Sequence, residues 1–199
     1  MTRVGWLGAG LAGWALLAAP PLRGGLEASL PGHMIGQLVL LTACGWWLGR
    51  ALGPVRDGEL AGFNRHGAAG LLLGLFTWAF WLLPRNLDAA LQEPVWEAAK
   101  FVSLPLLAGV PWARSWPRLP GVVRAVLWAN LVPMLAVMGW VYLQAPARLC
   151  TSYLLDQQTL AGWALLGTAG AAALYGLGRL GLWMRRQGAA ARSAPAPRP

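Results

Sequence analysis

Six long apolar runs, separated by short segments that carry most of the arginines, restrict this chain to one kind of fold. A helix needs about 20 apolar residues to cross the hydrocarbon core of a bilayer. Stretches near that length lie at Val4–Leu22, Met34–Leu52, Gly67–Leu83, Val95–Ala113, Val122–Leu143 and Leu160–Met184. The third is bounded by Pro84, and the fourth is interrupted by Glu97 and Lys100. The expected fold is therefore an all-α membrane protein, a bundle of about six transmembrane helices over residues 1–186. The remaining residues, 187–199 (QGAAARSAPAPRP), are Ala/Pro/Arg-rich and read as a disordered cytoplasmic tail.

Composition agrees with a bilayer as solvent. Of 199 residues, 57% are hydrophobic and 12% charged, about half the charge of a soluble domain. The 13 tryptophans suit the membrane–water interface. A net charge of +9 would fit nucleic acid only if it formed a dense patch. Here the arginines sit in gaps between apolar runs, so membrane lipid is the expected partner and nucleic acid is not.

Orientation follows from those gaps. With the N-terminus inside, the cytoplasmic segments hold Arg3, then Arg50, Arg56 and Arg65, then Arg114, Arg118 and Arg124, then Arg179, Arg185, Arg186, Arg192 and Arg198. The outer segments hold only Arg23, Arg85 and Arg148. This bias predicts a multi-pass protein of a bacterial inner membrane with both termini cytoplasmic. The first run could instead be a signal peptide, with small residues at Ala18–Ala19, but it is long for one and Pro20–Pro21 suits a cleavage site poorly. Cys44 lies in an apolar run and Cys150 in a loop, with no CxxC spacing, so no disulfide framework or zinc site is expected.

Polar residues at membrane depth are costly and so mark candidate sites. On this topology they gather at the outer face: His33, Met34 and Gln37; Asn86, Asp88 and Glu93; Glu97 and Lys100; Tyr153, Asp156, Gln157 and Gln158. Imidazole and thioether suit copper, which makes His33 and Met34 a candidate metal pair. They also read as an interfacial His beside a lipid-facing Met. His66 belongs to the opposite face. Glu97 and Lys100, at i and i+3, share a helix face and read either as a self-neutralising pair or as an ion relay. Glu97 is the expected carboxylate for Lys100, with Asp156 the long-range candidate. His33, Glu97, Lys100 and Asp156 are expected to meet in one pocket. Asp156, Gln157 and Gln158 also read as caps of the sixth helix. Ala161, Gly162, Gly167, Gly170, Gly176, Gly178 and Gly181 would let helices approach closely, and Asn130 is expected to bond across to a neighbour. No nucleophile–base set, HExxH, P-loop or dinucleotide fingerprint occurs, and no enzymatic activity is expected.

Four stretches together carry a resemblance: HMIGQLVLL at 33–41, FWLLPRNLDAAL at 80–91, LVPMLAVMGW at 131–140 and SYLLDQQTLAGW at 152–163. In their order and spacing the chain resembles, over about 33–166, the multi-span CtaG family of cytochrome c oxidase assembly factors associated with caa-type oxidases. The resemblance implies a helper in maturing a copper-containing respiratory complex, handling copper on the outer side. The chain departs from the family's histidine-rich pattern. Gln37 stands where the family tends to have a second His after His-Met, Leu82 where it has His after Trp, and Trp96 and Lys100 where it has a His pair. The expectation is a divergent accessory or assembly factor for a heme-copper oxidase-like complex, with a residual copper role at most. The alternatives are a metal-free structural subunit, or a small transporter using Glu97, Lys100 and Asp156.

Overall fold

A computed structural model describes the backbone at residues 2–53 and 62–193, and side chains as far as Arg185. Arg56, Arg198 and the end of the expected tail lie outside the described residues, as do the side chains of Arg186 and Arg192. Among the described residues every regular element is helical.

Prolines decide where the first helices turn. Helix α1 (Arg3–Ala18) is capped by Thr2, whose hydroxyl accepts from the Gly5 amide at 3.2 Å. It stops at Ala19 because the residue before a proline is pushed out of the helical region, and Ala19 is extended with ψ 132°. Helix α2 (Pro20–Glu27) then leaves at 69° to α1. The same device recurs at Leu83 (ψ 123°) ahead of Pro84, where α4 (Ala68–Trp81) gives way to α5 (Pro84–Gln92) at 71°. The run Val4–Leu22 is thus an elbow rather than one straight helix.

Between the elbows, a wide π turn at Gly32–Gln37 runs into α3 (Leu38–Leu52). After α5, a single rod comprises α6 (Pro94–Ser103), a second π turn at Leu104–Gly109, and α7 (Val110–Ser115), ending in a 3-10 turn at Trp116–Arg118. Pro105 lacks the amide that would close an α turn onto Phe101, and the rod widens there instead of breaking. Two long helices complete the chain, α8 (Gly121–Gln144) and α9 (Leu155–Ser193). The backbone of α9 stays helical past Gln187, where the sequence suggests a disordered tail.

Packing centres on the crossing of α3 with the rod. A Cβ on Gly109 would lie 2.6 Å from Gly45 Cα, and a Cβ on Gly45 would collide with the Pro105 carbonyl. Only glycine lets these backbones meet. α1 lies on the other side of α3, with Gly10 against Leu48 and Gly13 against Cys44. α8 and α9 pack chiefly on each other. They meet at Gly139 and Gly162, where a Cβ on Gly139 would stand 2.8 Å from the Gly162 carbonyl. Of the other small residues expected at interfaces, Ala161 is buried and Gly176 meets Trp128, whereas Gly167, Gly170, Gly178 and Gly181 face open space. Asn130 does not bond across; its amide donates to Val126 O of its own helix at 2.9 Å.

By length and composition, three stretches could cross a membrane: Gly32–Leu52, Gly121–Gln144 and Leu155–Arg185. Counting each elbow as one bent crossing raises this to five. The rod, with Glu97, Lys100 and Arg114 in it, is not among them. The three differ in cover: the apolar window of Gly32–Leu52 is 44% buried, against 11% for α8 and 22% for α9.

Candidate functional site

The polar residues at one end of the bundle converge on Lys100. α2 begins with two prolines at its first turn, a position that costs no hydrogen bond, and carries Arg23 and Glu27 one turn apart, 3.9 Å between Nε and Oε2. The corner that follows returns the chain beneath α2. It requires glycine at position 32, because a Cβ there would lie 2.5 Å from Leu26 O and 2.7 Å from Ser29 Oγ. The first π turn then sets His33, Met34 and Gln37 inward, all buried.

Lys100 enters from α6 and has no exposed surface. Its ammonium has three N–H groups, and three acceptors surround it: Gln37 Oε1 at 2.7 Å, His33 Nε2 at 2.9 Å and Glu27 Oε1 at 3.0 Å. Gln37 Nε2 donates to the same Glu27 oxygen at 2.9 Å. Tyr153 Oη donates to the Glu27 carbonyl at 2.7 Å and lies 3.1 Å from His33 Nδ1. With its proton committed to that carbonyl, the tyrosine accepts from Nδ1–H. His33 is thereby assigned the tautomer with a bare Nε2, the one that can accept from Lys100. Glu97 is held by Arg23, Nη1 to Oε1 2.8 Å. The charges thus alternate along Glu97, Arg23, Glu27 and Lys100.

The carboxylate partner of Lys100 is therefore Glu27, not Glu97 or Asp156. Glu97 stays close by, one link along the chain of charges. Asp156 does not join: it is exposed and accepts from the Gln157 amide at 2.9 Å, at the start of α9. No ion path through Glu97, Lys100 and Asp156 is assembled among the described residues. Gln157 and Gln158 act as clamps. Gln157 Oε1 accepts from the Leu30 amide at 3.0 Å; Gln158 accepts from the Leu149 amide at 2.8 Å and donates to Tyr142 O at 3.1 Å. Asp88 pins the loop that carries Tyr153, accepting from the Thr151 amide at 2.6 Å and its hydroxyl at 2.9 Å. Above the cluster a cavity of about 490 Å³ opens, lined by Glu27, Leu91, Gln92, Ser152, Tyr153 and Gln157 among others.

In the same loop Cys150 is a buried free thiol. Burial, reinforced by the Asp88 carboxylate and partly offset by the neighbouring Tyr142 hydroxyl, pushes it up to about 11. Burial likewise raises the Tyr153 hydroxyl well above the ordinary phenol range, so it stays a donor at neutral pH.

Glu27 is the residue that sequence reasoning missed. It lies outside the apolar runs and reads there as part of a connecting loop. The signal that exposes it is the Pro20–Pro21 start followed by Arg23 and Glu27 at i and i+4, which together mark a short helix with a paired face.

A resident copper ion does not fit these residues. Both His33 nitrogens are engaged, Nε2 by an ammonium and Nδ1 by Tyr153. Met34 is buried in the apolar core with Leu30, Leu38 and Trp81. Among the described residues no three His, Cys, Asp or Glu side chains come together as a metal would require. The class this defines is an all-helical bundle with membrane-span-capable helices and a charge-balanced polar cluster at one end. Comparison with protein-family models, with curated proteins and with solved structures finds no match to this chain.

Proposed function

We propose that the chain is a non-catalytic accessory or assembly factor for a heme-copper oxidase-like respiratory complex. On this reading it is a six-span protein of a bacterial inner membrane with both termini in the cytoplasm, the rod Pro94–Ser115 being the span the apolar criterion leaves out. One observation carries the proposal. Three of the four stretches that bear the family resemblance meet at one end: 33–41 through His33 and Gln37, 80–91 through Asp88, and 152–163 through Tyr153, Gln157 and Gln158. Resemblance confined to helix-packing residues would have no reason to collect at one end of the bundle. The Lys100 ammonium occupies the position between His33 and Gln37 from which a cation would be bound, so the activity proposed is holding or presenting a partner rather than copper delivery.

Deletion tests this. Assembled oxidase, measured by its reduced-minus-oxidised heme spectrum and by oxygen uptake, should fall and should not recover with added copper. Unchanged oxidase sinks the proposal; full rescue by copper would restore a delivery role. The second reading is a structural subunit, favoured by the sparse cover of α8 and α9. It predicts stoichiometric co-purification with the mature complex, whereas an assembly factor leaves it.

A further inference from the structure

The end of the bundle away from Lys100 holds a second site, which does not depend on the proposed function. Residues His33 and Arg50 are 17 apart on one helix, about 25 Å at 1.5 Å per residue. At the Arg50 end a cleft of about 360 Å³ is lined by four arginines, Arg3, Arg50, Arg114 and Arg118, with Trp6 among its other lining residues. They come from four separate segments: the start of α1, the last turn of α3, α7 and the 3-10 turn after it. Single arginines at helix ends are ordinary. Four brought by four segments into one concavity make a focused positive field.

Among the described residues, neutralisation from within falls short. No acidic side chain is among the described residues lining the cleft, and no described ion pair involves these arginines. Arg118 donates to the Asn64 carbonyl at 3.0 Å. Arg114 Nε is buried with no hydrogen-bond partner, which is costly unless something arrives to accept. The carbonyl ends of α3 and α7 point the right way, but each supplies only about half an elementary charge, against four positive charges. Arg3 folds over the end of α3, where a Cβ on Gly53 would lie 3.3 Å from its Nη2, and Gly53 takes the left-handed φ of 70°. The cleft is at the small end of ligand pockets, and planar guanidinium forks match phosphate oxygens.

We infer that this cleft is a binding site for a phosphate-bearing anion, with Arg50, Arg114 and Arg118 as its ligating groups. Two sources offer the same chemistry, a phospholipid headgroup from the adjoining membrane or a soluble phosphate. The test uses the full chain in mild detergent and reads thermal stability. Phosphatidylglycerol is titrated against phosphatidylcholine, and inorganic phosphate is titrated separately. The expected result is protection by phosphatidylglycerol at a concentration at least several-fold lower than phosphatidylcholine requires. Arg114→Gln/Arg118→Gln should abolish the difference, while Arg148→Gln, in the loop before α9, keeps it. Should the double variant fail to elute as a monodisperse species, Arg50→Gln, at an exposed position, replaces it, with a partial loss expected. If inorganic phosphate alone protects and suppresses the lipid effect, the site holds and its ligand is the free anion. Equal protection by both lipids with none from phosphate overturns the site, as does an equal loss in Arg148→Gln.

Discussion

The two ends of α3 handle charge in opposite ways. At the His33 end, Glu97, Arg23, Glu27 and Lys100 alternate in sign, and every N–H of the Lys100 ammonium meets an acceptor. At the Arg50 end, four like charges share a cleft with no described carboxylate to balance them. A buried charge tolerates no vacancy in its partners, and at the first end the Lys100 ammonium has none. Among the described residues the second has no carboxylate partners, and it opens outward. The lesson is that positive charge alone does not distinguish structure from recognition; what matters is whether its partners come from the same chain.

The largest effect that would sharpen this contrast is Lys100→Met. It takes the ammonium from Glu27, His33 and Gln37, leaving the Glu27 carboxylate with Gln37 Nε2 and, at 3.9 Å, Arg23, and should cost about 3–5 kcal/mol, read as loss of folded protein in a detergent-to-SDS titration. Arg50→Met at the other end should change stability by about 0.5 kcal/mol or less. Comparable costs at both ends would break the comparison. Next comes Gly45→Val, between the two ends. Its side chain meets the Pro105 carbonyl, and overpacking there should cost about 3 kcal/mol, with both ends loosened together.

Smaller still is Tyr153→Phe, which removes one donor to the Glu27 carbonyl and one acceptor from His33. It should cost about 1 kcal/mol in the same titration and leave the arginine cleft untouched. The smallest effect concerns Cys150. Its thiol sits near 11, so at pH 8 iodoacetamide should label it far more slowly than a cysteine placed at Arg50 by Arg50→Cys. Equal labelling rates would mean that the first end is not sealed. The sign of the linkage follows from the raised value. The thiol's contribution to stability is complete below about 9, the ordinary value, and is lost as pH rises toward 11.

Much of the fold was legible as apolar length and proline placement. Gly67–Leu83 corresponds closely to α4, and Pro84 ends it as expected. The same reasoning overran at Ala19, because Ala18–Leu22 stays apolar enough to extend a run while Pro20 forbids Ala19 from continuing the helix. Sequence gathered Gln37 and Tyr153 at the same face but expected His33, Glu97, Lys100 and Asp156 to meet, whereas Gln37 and Tyr153 complete the cluster with His33 and Lys100. The partnering was not legible. Depth along a helix follows from counting residues, but which face meets which depends on the π turns at 32–37 and 104–109, whose rotation leaves no periodic trace. Asp156 shows the limit: it is exposed, accepts from the Gln157 amide and does not reach Lys100.

The π turn at Gly32–Gln37 has a consequence for the order in which the chain is made. Glu27, His33 and Gln37 are synthesised more than 60 residues before Lys100, on one corner held by Gly32 and Ser29. A nascent chain can therefore complete a receptor for an ammonium before the helix bearing that ammonium leaves the ribosome. Lys100, a charged side chain with no exposed surface, then docks against acceptors that are already waiting. Tyr153, arriving last, closes the cluster behind it. In a chain built this way the sequence order is itself an assembly schedule, and transplanting the Lys100 helix ahead of Glu27 would leave its ammonium unmatched until Glu27 followed.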